Sequence, residues 1–463
     1  MLTIYDGPGN RWRRRDFLRV GSLALGGLSL ADLLATQARA ESHYLRDKSV
    51  IFLFLHGGPS QTETFDPKMS APAGVRSATG EIATALPGVT FGSTFEQLAR
   101  RADRFSVVRS FRTGDGNHDI KPIVCRDTAG ANLGSLYARV AGNNDPQTGI
   151  PRNVALYPRA VVPEAQPATM NFGQFGSTGQ LGTAYTPFVP GGNGSLQESM
   201  RLTIPRERLD DRRTLLKDLD RIKRSADRTQ LVGLDKFQQQ AFETIVGGAA
   251  EAFDLSHEPA ELVARYDTAP LVTPSQISRR WNNYNNYVDN AKSLGKLLLL
   301  ARRLCESGCR FVTVTTNFVW DMHSDVNNAG VEEGMQYMGR PLDHALSVFL
   351  DDVEQRGLSE KILLVACGEM GRTPRMNNRG GRDHWGQISP LLLAGGGLKA
   401  GQVIGQSTAD AGEPHTTPIE IKNLVATVMH TLLDTGNLRA VTGIPADVSR
   451  AITGAEPIRE LVS

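Results

Sequence analysis

Short apolar segments alternate with amphipathic segments over most of the chain. Apolar runs bounded by polar or glycine-rich residues lie at 50–55, 105–111, 310–318, 361–367 and 390–397. Apolar residues recur at helical spacing at 94–105, 285–308, 342–357 and 417–434. Runs that are apolar without alternation are typical of strands buried on both faces of a parallel sheet. The pattern therefore predicts an α/β fold, with a mainly parallel central sheet and helices on both faces.

A region near the middle of the chain interrupts this alternation. Residues 140–205 are rich in Gly, Thr and Pro, which predicts long loops. Residues 206–266 carry dense charge at helical spacing, which predicts amphipathic helices. We therefore predict a single domain over 41–463, with a helical and loop-rich insertion around 140–280.

Composition excludes several classes of protein. With 40% hydrophobic and 22% charged residues, the chain has the balance of a globular protein. A net charge of +2 gives no large basic field, so nucleic acid is not an expected partner. The 4 cysteines are too few for a disulfide framework, and we expect buried free thiols.

The N-terminus has the layout of an export signal. A basic group at 13–15 precedes a mildly apolar stretch at 20–34 and an Ala-Arg-Ala sequence at 38–40. The motif "RRDFLR", with Arg14 and Arg15, resembles a twin-arginine signal. The apolar stretch is too short to span a bilayer stably. Beyond the signal no transmembrane candidate occurs, so no transmembrane segment is expected in the mature chain. We predict removal of 1–40 and export by the twin-arginine translocase, to the periplasm or the medium. The alternative is an amphipathic N-terminal helix.

Polar side chains that could bind a metal or take part in catalysis flank the predicted strands. In parallel α/β sheets, ligands gather beyond the carboxyl ends of the strands. The relevant residues are His56, Glu63 and Asp66 after the first run, Asp115, Asn117, His118 and Asp119 after the second, Asp321 and His323 after the third, Glu369 and Arg372 after the fourth, and Asp383 and His384 just before the last. We expect them to share one edge of the sheet.

Histidines and carboxylates in such a cluster could hold a divalent metal. Imidazole suits zinc or iron, whereas carboxylate suits manganese or magnesium. Such a metal could polarise an ester, and Arg372 could pair with the anionic group of a substrate. Each motif also has a structural explanation. "GGRDHWG" could be a turn, His56 could cap a strand, and Glu369 could form an ion pair with Arg372.

Several motifs together resemble a known family. "HGGPSQTETFDPK", "WDMHSD", "GEMGRTPRMN", "GRDHWG" and "LLAGGGLKAGQVIGQS" are similar to motifs of domain-of-unknown-function family 1501, a secreted bacterial family. The resemblance covers nearly all of 49–435. That family resembles the alkaline phosphatase and sulfatase superfamily. The resemblance therefore implies an alkaline-phosphatase-like three-layer α/β sandwich with metal ligands at its strand ends.

The resemblance also implies a set of site residues. The expected metal ligands are His56, Asp321, His323, Glu369, Asp383 and His384, and the expected catalytic residues are His118 and Arg372. Zinc is the first expectation, with manganese, magnesium or calcium as alternatives. Three positions depart from the pattern: His56 stands where the first-strand aspartate is usual, Met370 where a histidine ligand is usual, and Glu63 where relatives often have Asp.

The nucleophile of the superfamily is missing at its usual place. The matching stretch, "GDGNHDIKPIVCRDTAG", offers Asn117 and His118 where Ser, Thr or a modified Cys is usual, and Ser110 lies earlier. His118 could be a ligand, a general base or a nucleophile. The chain could also activate water directly, or could have lost hydrolase activity.

The sequence thus favours a metal-dependent hydrolase of phosphate or sulfate esters. The second hypothesis is a non-catalytic exported protein that keeps the fold and binds an envelope glycan or another cell-envelope partner. The third hypothesis is an oxidoreductase, which ranks below the other two because no nucleotide-binding fingerprint or cysteine cluster supports it.

Overall fold

A computed structural model describes residues 43–169, 172–190, 249–441 and 443–462. The predicted signal at 1–40 and most of the charged stretch at 206–266 lie outside these residues. Only part of the insertion is therefore described, and the domain boundaries stay a prediction.

The described secondary structure follows the alternation of the sequence. The strands are β1 (Ser49–Phe54), β2 (Glu81–Ala83), β3 (Thr90–Gly92), β4 (Ser106–Val108), β5 (Phe111–Arg112), β6 (Asn153–Leu156), β7 (Phe311–Thr315), β8 (Ile362–Cys367), β9 (Gly371–Arg372), β10 (His384–Trp385), β11 (Leu391–Gly395), β12 (Val403–Ile404) and β13 (Ile419–Glu420). The α-helices are α1 (Glu96–Ala99), α2 (Leu133–Ala141), α3 (Ala260–Tyr266), α4 (Tyr284–Glu306), α5 (Val331–Gln355), α6 (Ile421–Leu432), α7 (Thr435–Leu438) and α8 (Ala446–Thr453).

A seven-stranded sheet lies at the centre, in the order β12–β4–β11–β8–β1–β7–β6. β1 pairs in parallel with both β7 and β8, and β6 pairs in parallel with β7. β11 is antiparallel to its neighbours β8 and β4. Every residue of β1 is buried, as expected for a central strand covered on both faces.

Helices cover both faces of this sheet. Ile51 and Leu53 of β1 pack into one apolar core with α4 and α5, whereas Val50 and Phe52 pack into a second core with α2 and α6. Successive side chains of a strand point to opposite faces, so one apolar strand serves both cores. The predicted fold class, a mainly parallel sheet between two helical layers, is confirmed.

Two predicted helices are shorter than their sequence patterns. The segment 94–105 forms only the single turn of α1 and a 3₁₀ turn at Ala102–Arg104, before the chain enters β4. The segment 417–434 becomes helical only at Ile421, because Ile419 and Glu420 pair with β5. In the second segment, strand pairing takes precedence over helix propensity.

Helix α4 lies very close to the end of α3. A Cβ atom at Gly295 would stand 1.7 Å from the carbonyl oxygen of Tyr266. No side chain fits that space, so this glycine allows the two helices to approach. The N-terminal end of α4 carries Asn283 and Asn286, which reach the candidate site described below.

We predict that Gly295→Ala destabilises the protein. In an open helix alanine is about 1 kcal/mol more favourable than glycine. Here the added methyl group meets a backbone carbonyl, so we expect the free energy of unfolding to fall by about 1–3 kcal/mol. Urea denaturation followed by circular dichroism measures this change. Gly176→Ala is the control, because its Cβ would lie 3.5 Å from Thr186, an ordinary contact. A Gly295→Ala variant as stable as the wild type would contradict the prediction.

Candidate metal centre

The loops that follow three neighbouring strands leave the sheet at one edge. β1, β7 and β8 are parallel, and they end at Phe54, Thr315 and Cys367. The carboxyl ends of parallel strands meet at the same side of a sheet. The "HGGPS", "WDMHSD" and "GEMGRTP" motifs are therefore brought together although they are far apart in sequence.

The segment 368–390 returns to the same edge because β11 is antiparallel. Leu391, at the start of β11, pairs with Cys367, at the end of β8. Within the segment, His384 pairs with Arg372 across the short β9–β10 ladder. The direction of one strand thus explains why Asp383 and His384, which precede a strand, join residues that follow other strands.

Glycines allow these loops to approach one another. Gly57 has φ +111°, and a Cβ atom there would lie 2.5 Å from the amide nitrogen of Asp321. The Gly57 N–H donates to the Glu369 carboxylate at 2.9 Å. Gly381 has a similar role, since its Cβ would lie 2.1 Å from the His323 carbonyl oxygen. Larger residues at either position would push apart the loops that carry the histidines and carboxylates.

Four of the predicted residues form a compact group. His118, Asp321, His323 and His384 each offer one ligand atom, and these atoms lie within 4.8 Å of one another. Asp321 Oδ1 is the common centre, with the Nε2 atoms of His118, His323 and His384 at 3.6, 2.8 and 3.3 Å respectively. His323 Nε2 and His384 Nε2 are 2.7 Å apart.

This spacing suits a metal ion. In a tetrahedral zinc site with bonds of about 2.0–2.1 Å, ligand atoms lie roughly 3.3 Å apart. The distances around Asp321 Oδ1 scatter about that value. The buried Nε2 of His118 also has no hydrogen-bond partner among the described residues. A buried nitrogen without a partner is costly, which indicates that a ligand completes this site.

Glu369 and Asp383, both expected as ligands, lie outside the group, and each contacts one of its histidines. Glu369 is fully buried and its Oε1 lies 2.9 Å from His118 Nδ1. Asp383 Oδ1 lies 3.1 Å from His323 Nδ1. A carboxylate bonded to Nδ1 holds the proton there and leaves Nε2 free to bind a metal or accept a proton. Both carboxylates therefore orient a histidine, and their assignment as ligands stays a prediction.

Neighbouring charges shift the pKa values of Asp321 and His118 in opposite directions. Burial alone would raise the pKa of Asp321, but the Arg372 guanidinium and the histidines outweigh it and hold that pKa well below its usual value. Burial alone would lower the pKa of His118, but the Asp321 and Glu369 carboxylates outweigh it and raise that pKa. Asp321 is therefore the permanent negative charge of the group.

Arg372, expected to bind the anionic part of a substrate, is buried in the frame of loops around the group, and its assignment as an anion-binding residue stays a prediction. Its guanidinium is fully buried and donates to the carbonyl oxygens of Gly57, Gly58 and Arg382 and to Asp321 Oδ1. It does not line the cavity beside the histidines. Its donors are used on backbone carbonyls because the close approach of the loops buries those carbonyls and they need partners.

His56, another expected ligand, lies apart from the group. Its ring is 1% exposed and packs edge-on against Phe172, Phe175 and Phe318. Burial among these aromatic rings lowers its pKa, which favours the neutral imidazole. Its Nε2 has no hydrogen-bond partner among the described residues. The assignment of His56 as a ligand stays a prediction.

A cavity of about 430 Å³ opens beside the group. Its described lining consists of the four group members together with Thr169, Phe172, Asn283, Asn286, Phe318, Asp325, Asn327 and Asn328. The asparagines and phenylalanines were not predicted from the sequence. Among them, only Asn327 and Asn328 could have been suspected from the sequence. They follow "WDMHSD" closely, and residues soon after a strand end lie near the same edge of the sheet.

Comparisons with known proteins agree with the family suggested by the sequence. A family model described as "Protein of unknown function (DUF1501)" matches residues 47–462. The comparison with curated proteins found no match.

Several solved structures resemble the chain distantly. They include the sulfatase PsFucS1 from Pseudoalteromonas sp. (10% identity, TM-score 0.35, covering 91% of this chain and 72% of that one). They also include Ps i-CgsB (9% identity, TM-score 0.34, covering 89% and 77%). A third is the phosphonate monoester hydrolase SpPMH from Silicibacter pomeroyi (9% identity, TM-score 0.31, covering 89% and 78%).

We predict that Glu369→Gln lowers the pKa of His118 in the metal-free protein. The substitution removes one of the two carboxylates that raise this pKa and keeps a hydrogen-bond acceptor for Nδ1. A raised histidine pKa adds stability that is fully present below the unfolded value, about 6.5, and is lost as pH rises through the folded value. The variant should therefore lose stability at acidic pH relative to the wild type. NMR titration of the histidine ring protons measures the pKa directly.

Asp383→Asn is the matched control for this titration. Asp383 contacts His323 and not His118, so its neutralisation should leave the pKa of His118 close to the wild-type value. An unchanged His118 pKa in Glu369→Gln would show that the Glu369 contact does not set its charge.

Proposed function

The chain belongs to the DUF1501 family, and on that premise we propose that it is an exported, metal-dependent hydrolase of phosphate or sulfate esters, with a sulfatase-like fold. One observation carries the proposal. Three potential ligand atoms, on Asp321, His323 and His384, lie 2.7–3.3 Å apart. His118 Nε2, which has no hydrogen-bond partner among the described residues, lies 3.6 Å from Asp321 Oδ1. This is the layout of a metal site with an open position and a neighbouring base.

Zinc fits the donors better than the alternatives. Two imidazole nitrogens and one carboxylate match the three protein ligands of catalytic zinc sites, which leave a fourth position open. Manganese, magnesium and calcium prefer a larger share of oxygen ligands. When bound, the cation supplies a Lewis acid that polarises an oxygen of the ester.

His118 is the proposed general base. Its Nδ1 proton is held by Glu369, so the lone pair of Nε2 points away from that carboxylate. Its side chain is 11% exposed and borders the cavity, so a water molecule or substrate can reach it. His118 would take the proton of the attacking water, and Asp321, whose Oδ1 lies 3.6 Å away, would stabilise the resulting imidazolium.

Histidines are the only side chains of the described cavity lining that can carry a positive charge. No lysine or arginine lines the cavity in the described part of the chain, because Arg372 is buried behind it. The negative charge of an ester therefore depends on the metal ion for its balance. Removal of the metal should impair substrate binding as well as the chemical step.

The described lining also lacks an obvious nucleophile. Thr169 carries its only hydroxyl group, and Asn117 and His118 occupy the loop where the superfamily nucleophile is expected. Direct attack by water is therefore the proposed reaction. The same observation favours the second candidate function, an exported protein that binds an envelope glycan without hydrolysing it.

We predict that metal and activity are lost together. The purified mature protein should contain about one zinc ion per chain, and EDTA should abolish hydrolysis of members of a panel of phosphate and sulfate monoesters. His384→Ala removes a ligand and should lose bound zinc, whereas His118→Ala should keep zinc and lose roughly 10²–10⁴-fold in kcat. Elemental analysis and steady-state kinetics measure both quantities.

His415→Ala is the control for these variants, because His415 is exposed and does not line the cavity. It should match the wild type in zinc content and rate. A zinc-loaded protein with no turnover across the panel would favour the binding function. A stable protein that holds no metal would exclude the hydrolase proposal.

Export is predicted to depend on the paired arginines. Arg14→Lys combined with Arg15→Lys should retain the uncleaved protein in the cytoplasm, because the twin-arginine translocase reads this pair. Cell fractionation followed by immunoblotting measures the distribution, and the wild-type signal is the control. Unchanged export of the double variant would contradict this route.

A further inference from the structure

A chain of asparagine side chains leads from one wall of the cavity to Asp321. Asn317 Nδ2 lies 3.5 Å from Asn286 Oδ1, Asn286 Nδ2 donates to Asn283 Oδ1 at 3.0 Å, and Asn283 Nδ2 donates to Asn328 Oδ1 at 2.7 Å. Asn328 Nδ2 then donates to Asp321 Oδ2 at 3.2 Å. We name these four asparagines the amide chain.

The direction of the amide chain is determined at both ends. The ionised Asp321 can only accept hydrogen bonds, so Asn328 must present its NH₂ group and keep its oxygen for Asn283. At the far end, the backbone N–H of Thr169 donates to Asn317 Oδ1, which leaves the NH₂ of Asn317 for Asn286. All the donors therefore point toward the carboxylate, an arrangement in which each bond strengthens the next.

Asn328 is held rigidly at the last link. It is 1% exposed, and its backbone N–H donates to Asp325 Oδ1 at 2.8 Å. The next backbone N–H, of Ala329, donates to the Tyr287 hydroxyl at 3.0 Å. Backbone bonds from Asn283 to Asn327 further join the start of α4 to this loop. The side chain of Asn328 is therefore placed before any ligand arrives.

Asn328 decides which oxygen of Asp321 faces the histidines. It occupies Oδ2, and the three Nε2 atoms and Arg372 share Oδ1. Rotation of a carboxylate about its last torsion is soft. Without Asn328, Asp321 could turn and offer both oxygens to the forked guanidinium of Arg372, an arrangement that arginine favours. That turn would draw Oδ1 away from the histidines.

We propose that Asn328, supported through the amide chain by Asn283, Asn286 and Asn317, is a positioning residue that holds Asp321 in its metal-binding orientation. This inference rests on the proposed metal site but concerns different residues. The asparagines touch no metal ligand other than Asp321, so their effect passes through that carboxylate alone.

The test uses zinc and cobalt binding to the full metal-free chain. Zinc affinity is measured by competition with a chelating dye, and the visible absorption of the Co²⁺ form reports the geometry of the site. Loss of a residue that orients a ligand typically weakens metal binding by about 10–100-fold. We expect a loss of that size and an altered cobalt spectrum in Asn328→Ala, and a smaller loss in Asn283→Ala.

Asn282→Ala is the matched control. Asn282 is exposed and, like Asn283, lies at the start of α4 and faces the loop that carries Asn328. Among the described residues its side chain bonds to Asn327, which is outside the amide chain. Its zinc affinity should equal that of the wild type. Thermal unfolding of the metal-free proteins separates positioning from stability, because a merely structural role would lower the melting temperature and leave zinc affinity unchanged.

The outcomes separate this inference from the proposed function. Wild-type zinc binding with unchanged affinities in Asn328→Ala and Asn283→Ala would overturn the positioning role and leave the hydrolase proposal intact. No zinc or cobalt binding by the wild type would overturn both. If Asn328→Ala fails to fold, the variant at the half-buried Asn283 decides the question. A loss of zinc affinity in Asn283→Ala would support the positioning role, and an unchanged affinity would overturn it.

Discussion

The candidate site depends on one buried carboxylate. Asp321 is only 5% exposed, and it carries a negative charge that burial would otherwise disfavour. Its charge is stabilised by partners from several loops: Arg372, Asn328 and the three histidines of the group. These partners come from three segments, the one after β5, the one after β7 and the one between β8 and β11. Asp321 is therefore fully satisfied only when all three segments are in place. The same charge thus organises the edge of the sheet and supplies a metal ligand.

Arginines in the family motifs build the frame around this charge. Arg372 donates to the backbone carbonyls of the loop after β1, and Arg382 pairs with the fully buried Glu63. Both guanidinium groups are fully buried. Removing one partner from a buried ion pair leaves an uncompensated charge, so these residues hold the loops in a single arrangement. An arginine-rich motif at a strand end is therefore no sign, by itself, of an anion site.

The use of the arginines in the frame has a consequence for the chemistry of the cavity. The frame uses the arginines, and the described cavity wall consists of amides, two phenylalanine rings, Thr169, three histidines and the carboxylates of Asp321 and Asp325. A wall of this kind can hydrogen-bond a neutral, hydroxyl-bearing group, and its histidines are its only side chains that can carry positive charge. Binding of an anionic ester and its activation would both depend on the metal ion.

The apolar runs of the sequence determined the fold class, because a strand buried on both faces must be apolar throughout, as β1 and β8 are. The positions of Asp321 and His323 after a strand were likewise enough to place them at the edge of the sheet where the candidate group forms. Only the tertiary structure decided which residues meet. It directed Glu369 toward His118 and Arg372 toward buried backbone carbonyls, and it brought Asn328 to Asp321. Side-chain direction depends on which backbone groups the packed loops leave unsatisfied, and no pattern along the chain contains that information.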